Sequence, residues 1–375
     1  MIYYEYKIAK GKNMNKVLDF FKQNTDNKVL SKQIRVYGWQ FEFDHLLTTS
    51  VCKYLFEDFK VIENIAPLND VNRPGNIKKK HYVTVHDTGD TSSLHTAGFW
   101  SKTVFDHCWE QKPNEFVHYA CSFQYVTGND GIYHNIPDNE VAYHAGDGTK
   151  FDYKLYPTKV KVTEGKPIVT ISEDGYYEIN GEKTEISAPR AYYERNGKVL
   201  IDRISKTSDI NDEGILCVPV DGVYCLGETY FSQGYNLIAN RGGNNNSIGI
   251  ESCIDEGTDI YYTWQRTAKL VAHLLRDNDL TIEAVKQHHY FSGKNCPQTM
   301  RMNGMWEHFK ELVKFELKVL EFLDEGYQIN LICDDNRVDE KGRIILNDDT
   351  SPIKYRIQTV KDNDIEYLDF EIEVA

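Results

Sequence analysis

The stretch Gln287-His288-His289-Tyr290-Phe291-Ser292-Gly293-Lys294-Asn295-Cys296-Pro297 places an imidazole, an ammonium and a thiol within nine residues. A thiolate and a neutral imidazole are good zinc ligands, and a third ligand can come from elsewhere in a folded chain. The His-x7-Cys spacing alone is unspecific. Lys294 two residues before the cysteine and Pro297 directly after it make the string specific, and Gly293 sets it on a loop ahead of a helix. The other cysteines (Cys52, Cys108, Cys121, Cys217, Cys225, Cys253 and Cys333) are scattered with no CxxC pair. They read as small buried apolar residues, because disulfide frameworks belong to small secreted domains.

The elements that must hold this chemistry follow from residue pattern. His81 to Val85 reads as a short strand running into His86-Asp87-Thr88-Gly89-Asp90, and Ser93 to Glu110 as a helix. Phe116 to Val126 reads as a strand, with Gly128-Asn129-Asp130-Gly131 a hairpin turn into Ile132-Tyr133-His134. Ser247 to Glu251 has the composition of a buried strand, and Tyr262 to Asp277 and Met305 to Leu323 are amphipathic helices. Ahead of these, residues 1–70 form an expected α/β accessory unit: strand Tyr3 to Ile8, helix Met14 to Gln23, strand Gln33 to Phe43. The turn-rich Asn69 to Gly75 marks entry into a main domain over 71–322. That domain is interrupted at 149–243 by a β-rich insertion with strand-like runs at Pro167 to Ser172, Val199 to Ile204 and Ile215 to Val220. A β-rich extension, 323–375, closes the chain with strands expected at Arg343 to Leu346 and Ile365 to Val374.

Composition removes several function classes. With 43 Lys+Arg against 57 Asp+Glu in 375 residues, the net charge is −14, which argues against nucleic-acid binding through phosphate contacts. The apolar runs fall far short of the roughly 18 residues a membrane helix needs, so no membrane partner is expected. Met1-Ile2-Tyr3-Tyr4-Glu5-Tyr6-Lys7 shows no basic-then-apolar leader, so the expectation is cytoplasmic synthesis without Sec export. The sequence sets no oligomeric state.

Three further segments accompany the His288–Cys296 string in order. Val83-Thr84-Val85-His86-Asp87-Thr88-Gly89 is a strand ending in histidine. Asp130-Gly131-Ile132-Tyr133 leads through Ile136-Pro137-Asp138-Asn139-Glu140-Val141-Ala142-Tyr143-His144-Ala145-Gly146-Asp147-Gly148. Asn244-Asn245-Asn246-Ser247-Ile248-Gly249-Ile250-Glu251 is a strand ending in a carboxylate. Together the four resemble the amidase-2 family of N-acetylmuramoyl-L-alanine amidases, shared by phage lysozyme-like amidases and peptidoglycan recognition proteins, in its Gram-positive bacterial or phage form. The resemblance covers about Asn76 to Phe322, without the insertion. It implies an α/β fold: a mixed central β-sheet flanked by helices, here with a β-rich insertion and small terminal extensions.

Carried over residue by residue, the resemblance implies zinc bound by His86, His288 and Cys296, with a fourth position open as a catalytic site requires. It implies Glu251 as the group that orients or deprotonates water and protonates the leaving amine, and Lys294 as the cation stabilising the oxyanion. His118 and His144 are read as groove-lining, substrate-binding positions or as structural histidines. The implied substrate is peptidoglycan, cut between N-acetylmuramic acid and L-alanine. Val117 stands where some relatives carry a tyrosine, which places more of the proton handling on Glu251. Tyr290 and Phe291 stand where relatives often carry an aspartate and an aromatic. His289 beside His288 leaves two registers, of which spacing to Lys294 and Cys296 selects His288. The expected setting is a phage or prophage endolysin, or a bacterial autolysin, acting at the cell wall after holin-type or other non-Sec release. The rivals are a non-catalytic peptidoglycan-binding recognition module and a metal amidase acting on soluble muropeptides.

Overall fold

Short runs rich in β-branched residues build one six-stranded sheet in the computed structural model of the chain. The structure describes residues 15–24, 29–36, 39–46, 59–106, 109–112, 115–118, 121–146, 155–165, 167–188, 190–195, 198–209, 217–227, 242–292, 294–338 and 349–373. The strands of this sheet are β1 (Val61–Glu63), β2 (Tyr82–Asp87), β3 (Tyr125–Gly128), β4 (Gly131–His134), β5 (Ser247–Ser252) and β6 (Val285–Gln287). They lie in the order β6-β2-β5-β3-β4-β1. β6, β2, β5 and β3 run parallel. β4 returns antiparallel to β3, and β1 joins β4 in parallel at the edge.

Parallel strands need cover on both faces, and the helices of this domain include α1 (Ala97–Phe105), α2 (Ile260–Asp277), α3 (His288–Ser292), α4 (Gln298–Met302) and α5 (Trp306–Asp324). On one face Val83, Val85, Ile248 and Ile250 pack with Trp264, Ala268, Val271 and Leu275 of α2 and Phe309 and Val313 of α5. On the other, Val126 packs with Ala97 and Val104 of α1, and with Phe123, Ile136 and Ala142. Each large apolar side chain withdrawn from water in this way contributes roughly 1.5–3 kcal/mol. The start of α2 is tied to the β3–β4 turn. Asp259 accepts from the Tyr262 N–H (3.0 Å), and Asn129 Nδ2 donates to the Asp259 carbonyl (2.9 Å).

Several elements differ from the sequence expectation. β1 lies on the N-terminal side of the boundary expected at residue 70, since a three-residue strand carries too little pattern to be recognised. The helix expected over Ser93 to Glu110 covers only Ala97–Phe105, and a hairpin of Trp109–Lys112 with Glu115–His118 follows. The strand expected over Phe116 to Val126 is therefore two. Between them Gln124 accepts the Gly249 N–H through its side-chain Oε1 and the Asn135 N–H through its backbone carbonyl, each at 2.7 Å. The strand expected over Gln33 to Phe43 is likewise an antiparallel pair, Val29–Val36 with Trp39–Leu46. The strands expected at Tyr3 to Ile8 and Arg343 to Leu346 lie outside the described residues.

The insertion has a core of its own, Val160, Ile171, Tyr177, Ile179, Tyr224 and Leu226. Its first and last described strands, Leu155–Lys161 and Val223–Gly227, pair antiparallel. Described segments near the two ends of the chain share a core. Val17, Leu18 and Phe21 of the helix Lys16–Asn24 share a buried cluster with Val319 and Phe322 of α5 and with Ile353, Tyr355, Ile357 and Leu368. Those last four belong to a three-stranded antiparallel sheet made by Gln328–Ile332, Ile353–Lys361 and Asp364–Ile372.

Candidate metal centre

Three neighbouring parallel strands end at one level. His86 of β2 is the register partner of Glu251 of β5, and Gln287 of β6 is the partner of Val85, so β6 delivers His288 beside His86. This is the carboxyl edge of a largely parallel sheet, where α/β folds gather their ligands.

The Cys296 loop closes over that edge. Cys296 Sγ lies 3.8 Å from His86 Nδ1, and the His86 and His288 rings sit 4.6 Å apart at 63°. One ligand atom from each of His86, His288 and Cys296 falls within 4.8 Å of the others, and all three residues are buried. Bonds of about 2.0 Å to nitrogen and 2.3 Å to sulfur imply a tetrahedral N–S separation of roughly 3.5 Å, close to the one observed. Among the described residues this is the one such group of three.

Asp87 holds the cysteine in place from both ends. Its backbone N–H donates to Cys296 Sγ (3.4 Å), and its carboxylate accepts from the Thr299 N–H and hydroxyl (2.7 and 2.8 Å). Arg301 joins the same loop to β6, donating to Asn295 Oδ1 at 2.9 Å and to Gln287 Oε1.

Electrostatics suits the arrangement to a cation. Burial pushes His86 and His288 well below the usual histidine range, with neighbouring imidazoles and the Lys294 ammonium adding to it. Both rings therefore carry free lone pairs. Burial also pushes the Cys296 thiol above its ordinary value, so a thiolate here calls for a positive partner. Burial raises the Glu251 carboxyl well above its usual range, with the Cys121 side chain second. Among the described residues no hydrogen-bond partner reaches His288 Nδ1 or Glu251 Oε2. Two imidazoles and one cysteine sulfur, with a buried unpaired nitrogen on His288, fit zinc, a borderline-soft ion.

The sequence-selected residues distribute as follows. His86, His288 and Cys296 converge, and of the adjacent histidine pair it is His288 that joins them. Glu251 Oε1 stands 3.7 Å from His86 Nδ1. Lys294 is exposed at the rim, and its charge acts on both histidines. His144 comes from the loop after β4, with Nδ1 2.9 Å from His86 Nε2. His118 ends the strand Glu115–His118, and its side chain lies outside the described residues. Sequence reading missed Asp87 and Thr299, although an aspartate directly after a ligand histidine was a visible signal.

The sheet, the covering helices and a His-His-Cys cluster at the strand ends define an α/β domain with a candidate metal centre. The sequence profile of the N-acetylmuramoyl-L-alanine amidase family, amidase-2, matches residues 76–299, more than half of the chain, and the chain belongs to that family. Two Bacillus subtilis (strain 168) proteins are similar over short stretches. The N-acetylmuramoyl-L-alanine amidase CwlA is 34% identical over 83 residues, 22% of this chain and 30% of that protein. The N-acetylmuramoyl-L-alanine amidase XlyB is 35% identical over 80 residues, 21% of this chain and 25% of that protein. The chain thus spans less than a third of the length of these relatives. Among solved structures, the catalytic domain of XlyA superposes with a TM-score of 0.37 at 19% identity, covering 68% of this chain and 99% of that one. PlyL superposes with a TM-score of 0.37 at 17% identity, covering 68% and 96%.

Proposed function

We propose that the protein is a zinc-dependent N-acetylmuramoyl-L-alanine amidase that cuts peptidoglycan between N-acetylmuramic acid and L-alanine, as an endolysin or autolysin at the bacterial cell wall. The observation that carries this reading is the convergence of His86, His288 and Cys296 with Glu251 at one sheet edge. His86, His288 and Cys296 would hold the metal, which when bound supplies Lewis-acid activation of the scissile carbonyl and of water. Glu251 takes the proton from the attacking water as the C–O bond forms, then delivers it to the nitrogen as the C–N bond breaks. Burial raises its pKa, which strengthens the ionised carboxylate as a proton acceptor. The Lys294 ammonium offsets the charge that develops on the carbonyl oxygen. The net charge of −14 gives no long-range attraction to an anionic wall, so affinity must come from contacts in the groove.

The test is to incubate zinc-loaded protein with purified Gram-positive sacculi and count new L-alanine amino termini. Their release, without new reducing sugar ends, is the expected result. Zinc-loaded protein that binds sacculi and releases none would make it a recognition module. Cleavage confined to soluble muropeptides would move the substrate away from the wall.

A further inference from the structure

We propose that His144 is a positioning residue of the metal centre: its Nδ1 accepts a hydrogen bond from His86 Nε2–H and so aims the His86 Nδ1 lone pair at the cation. The inference rests on the metal-dependent reading above.

The two nitrogens stand 2.9 Å apart with the rings at 83°, an edge-on approach suited to a hydrogen bond in the plane of one ring. The other nitrogen of His86, Nδ1, faces Cys296 Sγ at 3.8 Å and Glu251 Oε1 at 3.7 Å, so it is the atom turned toward the cluster. A ligating nitrogen carries no proton, and a neutral imidazole then carries its proton on the other nitrogen. His86 Nε2 is thus a donor, and the atom facing it must accept. His144 Nδ1 meets that requirement, which places the proton of His144 on Nε2. Metal-binding histidines usually give their second N–H to a partner that fixes ring orientation and raises basicity. Here the partner is a second imidazole.

The surrounding chain holds His144 in this place by two independent devices. Asn244 Oδ1 accepts from the backbone N–H of both His144 and Ala145, each at 2.7 Å, fixing the loop directly. Beneath the ring lies Gly249 of β5, where a Cβ would come within 2.7 Å of three His144 ring atoms. A glycine inside a buried strand weakens the strand and marks a close approach. In Ser-Ile-Gly-Ile-Glu the approach is that of the His144 ring.

The experiment measures zinc affinity by chelator competition for the wild-type protein and for His144→Phe, His144→Asn and Gly249→Ala. It also reads the His86 ring tautomer by 15N NMR of the metal-free protein. His144→Phe should bind zinc about 10- to 100-fold more weakly, the usual effect of losing such a partner. His144→Asn, whose Oδ1 can accept in place of Nδ1, should recover most of the loss. Gly249→Ala should weaken binding by displacing the ring, and should add little in a His144→Ala background. Wild-type His86 should carry its proton on Nε2. A folded His144→Phe with unchanged zinc affinity overturns the inference while leaving the metal reading intact. Should that variant fail to fold, a wild-type His86 protonated on Nδ1 overturns it instead. Wild-type protein that binds no zinc overturns the metal reading and this inference together.

Discussion

His86 and Glu251 are register partners on adjacent parallel strands, and at the strand ends their side chains meet with His86 Nδ1 3.7 Å from Glu251 Oε1. One step of the β2–β5 ladder therefore sets the distance between the expected ligand and the expected base. A slip of one residue in that register would leave the two side chains on opposite faces of the sheet. The pairing is held by the buried aliphatic residues that precede it on the two strands, Val83, Val85, Ile248 and Ile250, so core packing and site geometry are one constraint.

Glu251→Gln isolates the proton-handling role. The amide keeps the shape and the neighbours of the carboxyl but accepts no proton. Turnover on sacculi should fall by about 10²- to 10⁴-fold while zinc content stays stoichiometric. Full turnover in this variant would remove Glu251 from the chemistry.

Cys296→Ser tests the ligand set through stability. A ligand that binds only the folded state raises the unfolding temperature, and a chelator should reverse that gain in the wild-type protein. Serine is a poor ligand for a borderline-soft ion. The chelator-sensitive increment in Tm should shrink to near zero in Cys296→Ser. An increment equal to that of the wild type would place the metal elsewhere.

The site was more legible in the sequence than the architecture around it. His288, Lys294 and Cys296 lie in one short string whose residue types stand out, whereas His86 and Glu251, each closing a buried strand run, were picked out by the family resemblance. His144 was visible as a groove-lining or structural candidate, but not as a neighbour of His86. Its contact with His86 depends on Asn244 and Gly249, about a hundred residues away in the chain. Short elements were lost for a related reason. Val61–Glu63 is a strand because β4 is there to pair with it, and nothing in three residues announces that. The shared core of the helix Lys16–Asn24 and the C-terminal sheet joins opposite chain ends, a relation that periodicity within either segment cannot express.

Gly243→Ala should destabilise the loop that carries His144. An added Cβ would stand 2.4 Å from the Ala145 Cβ and 3.2 Å from the Phe291 ring, with no flexible side-chain end to yield. Overpacking of this kind costs about 1–3 kcal/mol. Urea unfolding should show that loss as a lower midpoint at unchanged slope, and a midpoint at the wild-type value would show that the loop yields freely.

Phe21→Ala addresses the terminal core. Phe21 is fully buried against Phe315 and Phe20, with ring centroids 5.8 and 5.7 Å away. Removing it should cost about 3–5 kcal/mol in the unit that contains the C-terminal sheet. Hydrogen exchange should speed up across Ile353–Lys361, while zinc affinity at the distant strand ends stays unchanged. Weakened zinc binding would show that the terminal core supports the site directly.

His134→Gln carries a pH dependence with a defined sign. His134 Nδ1 lies 2.9 Å from Glu63 Oε2 and Nε2 3.4 Å from Asp138 Oδ1, with the ring stacked on Tyr125 at 4.4 Å. Burial works against the charged ring, but Asp138 and then Glu63 outweigh it, and the net shift is upward. A pKa raised above the unfolded value of about 6.5 stabilises the fold fully below that value, and the gain is lost as pH rises through the folded pKa. The glutamine variant should therefore be less stable than wild type at pH 6, by at most about 1 kcal/mol for a pair with so exposed a partner, with the deficit shrinking by pH 9. The size is held down by Glu63, which is 64% exposed and screened by solvent. Because Glu63 ends β1 and His134 ends its partner β4, the loss should appear first as faster exchange at that sheet edge. A deficit of the same size at both pH values would assign His134 to packing alone.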